Sequence, residues 1–123
     1  MNSFTINRRL YSLNDVIAAN RANKYKGATL KKDIEEAIGW DIKQALCKGE
    51  LKPISNPCII RINWYESSKR RDVDNVQSSQ KFILDSLVKN GVLKNDSQRY
   101  VKQVYHEVLH AEKDYVEVEL IEF

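Results

Sequence analysis

Apolar and polar positions change period several times along the chain, and each change marks an element. FTINRRL at 4–10 alternates loosely and predicts a first strand. SLNDVIAANRA follows, with Ser12 or Asn14 as a cap before Val16, Ile17 and Ala19, which predicts a short helix. ANRANKYKG is polar and basic, ends at Gly27 and reads as a loop. From 29 to 46, apolar residues at 30, 34, 37, 38, 42, 45 and 46 describe one face of an amphipathic helix, which Gly49 stops.

Pro53 and Pro57 then break the chain, and CIIRINWY at 58–65 is β-branched and aromatic enough to be a strand. Val76, Ile83, Leu84, Leu87 and Val88 return to helical spacing, with Asn90-Gly91 as the C-terminal stop and Asp74 or Asn75 as the N-terminal cap. Two more strands are expected at 100–109 and 115–121, the second alternating cleanly, with residues 110–114 turning between them. The order β, α, α, β, α, β, β predicts a mixed α/β fold in which helices cover one side of a small sheet.

Length and composition narrow this further. A chain of 123 residues, 42% apolar and 30% charged, suits one compact domain over 1–123 with a small core. No run of about 18 apolar residues exists for a membrane span, and MNSFTINRRL lacks the apolar core of a secretory signal, so the expected location is the cytoplasm. Cys47 and Cys58 form no CxxC pair, which leaves neither a disulfide framework nor a cysteine zinc site; reduced, half-buried thiols are expected. Charge is lopsided: residues 1–71 carry 14 Lys and Arg against 7 Asp and Glu, whereas 72–123 carry 6 against 10. A basic face that attracts phosphates is one consequence, and a set of solvated lysines is the other.

HEVLH at 106–110 matches the HExxH zinc-peptidase signature formally. That chemistry needs both imidazoles on one helical face. The surrounding QVYHEVLH is strand-like, and in a strand residues four apart lie about 13 Å apart, too far to share an ion.

The densest charge lies in SSKRRDVDNVQ at 67–77, where Lys69, Arg70 and Arg71 abut Asp72 and Asp74. If the preceding strand runs on, the two carboxylates project to one side with Cα atoms about 6.6 Å apart. Carboxylates that close repel unless a cation lies between them, and a hard divalent ion answers the repulsion. A helix-capping turn with solvated acids accounts for the same residues. Exposed salt bridges to the flanking cations would contribute under about 1 kcal/mol each, whereas phosphate binding beside a metal gives those cations a task. Lys81, two helical turns after Asp74 or roughly 10 Å along the axis, leans back toward the acids, or pairs with Asp85. Asp96 is the remaining acid of interest, since a helix returning to the sheet would deliver the following loop to the same edge.

RRDVDNVQSSQKFILDSLVKNGVLKNDSQ resembles the core of the RusA-type Holliday junction resolvases, metal-dependent DNA endonucleases with a D-x-D-N motif, a following lysine and a later aspartate. The resemblance is close over some 30 residues, roughly 70–98. It implies metal ligands at Asp72, Asp74 and Asp96 and a catalytic lysine at Lys81. Two departures stand out: Ser78 occupies the place of the more closely spaced lysine, and Asn95 precedes Asp96 where many members have an acidic pair. The resemblance further implies Mg²⁺, with Mn²⁺ as a substitute, branched DNA such as a four-way junction as substrate, and a homodimer. Arg21, Lys24 and Lys26, together with Lys69, Arg70 and Arg71, would grip backbone phosphates, and Tyr11 or Tyr25 would stack on exposed bases. The rival expectation is a DNA-binding module without catalysis, its acids serving only as caps.

Overall fold

The computed structural model describes residues 2–123. In chain order its elements are β1 (Ser3–Ile6), α1 (Leu13–Ala22), α2 (Lys24–Lys48), β2 (Cys58–Glu66), α3 (Val73–Gln77), α4 (Gln80–Lys89), β3 (Val101–His110) and β4 (Tyr115–Glu122). Among the described residues the strands form one four-stranded sheet in the order β1-β4-β2-β3. β4 runs antiparallel to both β1 and β2, while β2 and β3 are parallel, from Cys58 opposite Val101 to Glu66 opposite His110. Parallel neighbours need a crossover, which α3 and α4 supply.

Alternation sets the layers. Ile60, Ile62 and Trp64 of β2, Val116, Val118 and Leu120 of β4, and Phe4 and Ile6 of β1 are buried, and they share a core with Ile34, Ile38 and Ile42 of α2 and Phe82, Ile83 and Leu87 of α4. The intervening residues Arg61, Glu107 and Glu117 stay exposed on the other face. This is the expected mixed α/β architecture with helices on one side of a small sheet. Of the cysteines, Cys58 is in the core and Cys47 is exposed; both are free.

Two expectations are corrected. The basic stretch at 20–27 is not a loop: the chain turns at Asn23, which ends α1 and caps α2 by accepting from the Tyr25 N–H at 2.8 Å. Gly27, the expected end of that loop, lies inside α2, where a Cβ would come within 2.6 Å of Asn20 Cβ, so glycine lets the two helices touch. The crossover helix is split at Ser78 and Ser79, both still right-handed, into α3 and α4.

Other boundaries follow the pattern. Ser12 and Asp15 form a complete capping box on α1. HEVLH lies in β3, as its β-branched context predicts. Among the described residues no helix is long and apolar enough to cross a membrane.

Candidate metal and nucleic-acid site

β2 ends at Glu66, and the chain then leaves the sheet through the charged stretch. Two anchors shape this exit. Asp114 accepts from the Ser67 backbone N–H at 2.6 Å and from its hydroxyl at 2.9 Å. The backbone bond does most to hold the Asp114 carboxyl below the usual carboxylate range, with the Ser67 hydroxyl and the nearby Arg9 and Arg71 adding to it against partial desolvation. Arg71 turns inward, donating from Nε and Nη2 to the two Glu66 oxygens at 2.9 Å each and from Nη1 to the Leu10 carbonyl at 3.1 Å.

The three consecutive cations therefore divide. Arg71 was expected to grip phosphate, but its guanidinium is committed to Glu66, with both side chains 11% exposed. Lys69 and Arg70 are exposed, and among the described residues their side chains have no ion-pair partner. They remain free for an external anion.

Asp72 and Asp74 do not continue the strand. Asp72 is the N-cap position of α3, extended at φ −67° and ψ 153°, and Asp74 lies in the first turn. Capping accounts for an aspartate when its side chain accepts a bond from the first-turn amides. Asp72 makes no such bond. Both acids are exposed, adjacent at the start of a helix whose partial positive charge favours anions there. Their hard oxygens suit Mg²⁺, which binds through one or two carboxylates plus water and phosphate oxygens.

Lys81 follows on α4, 61% exposed, with its ammonium 3.9 Å from Asp85 one turn on. A pair this exposed is worth little and leaves the lysine available. The segment is held from three directions. Ser79 donates its hydroxyl to the Tyr11 carbonyl at 2.7 Å, Asn14 donates to Asn75 at 3.4 Å, and Gln80 Oε1 lies 2.7 Å from Nε2 of His106 on β3. The Trp64 indole donates to the other His106 nitrogen, Nδ1, at 3.0 Å.

Asp96 is elsewhere. It sits in the connection between α4 and β3, just before the end of the sheet where Cys58 pairs with Val101, while Asp72 and Asp74 follow the end where Glu66 pairs with His110. β2 spans roughly 26 Å between those ends. Among the described residues no group of three or more His, Cys, Asp or Glu is placed to hold a metal ion. The expected delivery of Asp96 to the edge carrying the acid pair is thus corrected: because β3 is parallel to β2, the crossover carries the chain to the opposite end of the sheet before Asp96.

Arg21 ends α1, and Lys24 and Lys26 begin α2; all three are exposed. The Asn14–Asn75 contact ties the start of α1 to α3, and these cations lie at the far end of α1, roughly 14 Å along its axis. The open face of the sheet is different. Glu107, Glu117 and Glu119 outnumber Arg61 there, and a hydrogen bond to Glu117 is the main reason the Tyr65 hydroxyl is pushed up to about 12. An excess of carboxylates makes that face unfavourable for a polyanion. Sequence reasoning had not singled out Glu66, Arg9, Gln80 or Trp64. An acid five residues before an arginine is the one faint signal for the Glu66–Arg71 pair.

Comparison with known proteins adds one match. Residues 16–121 fit the family model described as endodeoxyribonuclease RusA. No curated protein matches the chain.

Proposed function

Because the chain belongs to the RusA endodeoxyribonuclease family, we propose that it cuts branched DNA, four-way junctions above all, by Mg²⁺-dependent phosphodiester hydrolysis. The observation that carries this reading is the pair Asp72 and Asp74, exposed and without capping bonds, at the head of a helix and beside two uncommitted cations. As mere helix caps these carboxylates would have accepted amide protons. As metal ligands they need open space in front of them.

Asp72 and Asp74 would hold the ion, with Mn²⁺ able to replace Mg²⁺. Such an ion would supply Lewis-acid activation of water and neutralise charge on the attacked phosphate. Lys69 and Arg70 fix the phosphates on either side of the scissile one, and Lys81 sets a further positive charge against the transition state. Arg21, Lys24 and Lys26 extend the grip along one arm by backbone contacts, which position the duplex without reading its sequence.

Asp96 joins the acid pair from a second copy. In a homodimer whose protomers lie antiparallel about a two-fold axis, the Asp96 end of each sheet comes beside the acid-pair end of the other. Two such sites suit a junction in which two opposed strands are cut.

Cleavage assays on synthetic four-way, forked and linear duplexes, with and without Mg²⁺, test this reading. Incision of branched substrates in Mg²⁺ alone supports it. Tight junction binding with no incision in either Mg²⁺ or Mn²⁺ favours the non-catalytic DNA-binding module.

A further inference from the structure

Next to the acid-bearing segment, residues 8–11 and α2 enclose a cleft of about 260 Å³ that the proposed chemistry leaves unused. Its floor is apolar, made by Leu10, Leu30, Ile34 and Ala37. Tyr11 forms the lip, with 55% of its surface exposed. On the rim, Arg8 is drawn to Asp41 at 3.5 Å, Asp33 is the lone acid among the lining residues, and Arg9 is exposed with no ion pair among the described residues.

The cleft is fastened to the site. The Leu10 carbonyl accepts from Arg71 at 3.1 Å and the Tyr11 carbonyl accepts from Ser79 at 2.7 Å, so one wall is tied on both sides of Asp72 and Asp74. Ligand chemistry follows from the lining. An apolar floor and a phenol ring suit an aromatic ring system, and the exposed Arg9 guanidinium at the rim, near enough to Asp114 to lower its pKa but in no ion pair among the described residues, suits an attached phosphate. A nucleobase with its own phosphate combines these features, and Tyr11 has a face on which any base can stack. Duplex DNA holds its bases in a continuous stack, whereas a branch point interrupts stacking at its exchange and lowers the cost of drawing a base out.

We infer that this cleft takes one unstacked nucleobase from the branch point, stacked on Tyr11 with its 5′ or 3′ phosphate on Arg9. The inference rests on the reading of the acid-bearing segment as a DNA-cleaving site and adds how that site finds the branch rather than plain duplex.

The test uses full-length protein and four-way junctions carrying 2-aminopurine at each branch-point position in turn, without Mg²⁺. Binding should change the fluorescence at one position in the way stacking does. Tyr11→Ala should abolish that change and weaken junction binding about tenfold while leaving binding to linear duplex alone; Tyr11→Phe should restore both. Ala37→Phe, which fills the cleft from α2, should repeat the Tyr11→Ala result and serves if that variant fails to fold. Wild-type fluorescence and affinity in Tyr11→Ala or Ala37→Phe would overturn the inference, as would equal competition by free mononucleotide. A protein that shows the fluorescence change yet never cuts in Mg²⁺ would contradict the nuclease reading and leave the cleft standing. One that binds no junction would sink both.

Discussion

Trp64 donates its indole N–H to Nδ1 of His106 across 3.0 Å, and this bond decides where the imidazole carries its proton. An indole nitrogen is a donor only, so Nδ1 must be the acceptor. The proton therefore sits on Nε2 and points at Gln80 Oε1, 2.7 Å away at the head of α4. The neutral ring links the sheet to the helix bearing Lys81. Adding a second proton would set two N–H groups against each other.

That linkage has a pH signature. Desolvation lowers the His106 pKa below the ordinary histidine value, about 6.5. The unfolded chain then binds a proton more readily than the folded one, so the stabilisation is complete above the ordinary value and is lost as pH falls through it toward the folded-state pKa. Thermal melts should show a lower Tm at pH 5.5 than at 7.5, and His106→Gln should flatten that difference. In Trp64→Phe, NMR titration should find the His106 pKa moved upward.

Arg71 differs in kind from its neighbours. Arg71→Ala strands a nearly buried Glu66 carboxylate and should cost about 3–5 kcal/mol of stability in a denaturant melt. Lys69→Ala and Arg70→Ala should change stability by less than about 0.5 kcal/mol. Each should instead weaken DNA binding and reduce the slope of log affinity against log salt by about 1.

Gly27→Ala tests the contact between α1 and α2. The added carbon would lie 2.6 Å from Asn20 Cβ and 2.8 Å from its Cα, which is backbone and cannot swing aside. A loss of about 1–3 kcal/mol, the range for overpacking, is expected in chemical denaturation. A neutral result would mean that the helices separate freely there.

Asp96 calls for a complementation test. Asp74→Asn and Asp96→Asn should each be inactive alone, but mixed dimers would contain one site with all three wild-type acids. Nicking of one strand of a junction by the mixture is the expected result. No recovery, under conditions where subunits are shown to exchange, would place all three acids of a working site in one chain.

Much of the fold was readable because apolar period changes cleanly at its boundaries: Ile59 to Trp64 alternate across β2, and Ile34, Ile38 and Ile42 trace the buried face of α2. The acid pair stood out by charge density and family resemblance, but its place at the head of α3 rather than on the strand did not follow from the sequence. What escaped depends on partners distant in sequence. Nothing local distinguishes Arg71 from Arg70; Glu66 and the Leu10 carbonyl do. Gly27 reads as the end of a loop until Asn20 is seen against it. The place of Asp96 turns on whether β3 runs parallel to β2, a property that the alternation of neither strand records.

The most direct measurement is cleavage of a synthetic four-way junction in Mg²⁺ by Asp74→Asn, with junction binding by the same protein as its control. Cleavage should fall on the order of a hundredfold or more, the scale of losing one electrostatic element at a reacting centre. Binding should hold or tighten, because a negative charge facing phosphate has been removed. Cutting at the wild-type rate by a folded Asp74→Asn protein would contradict the account.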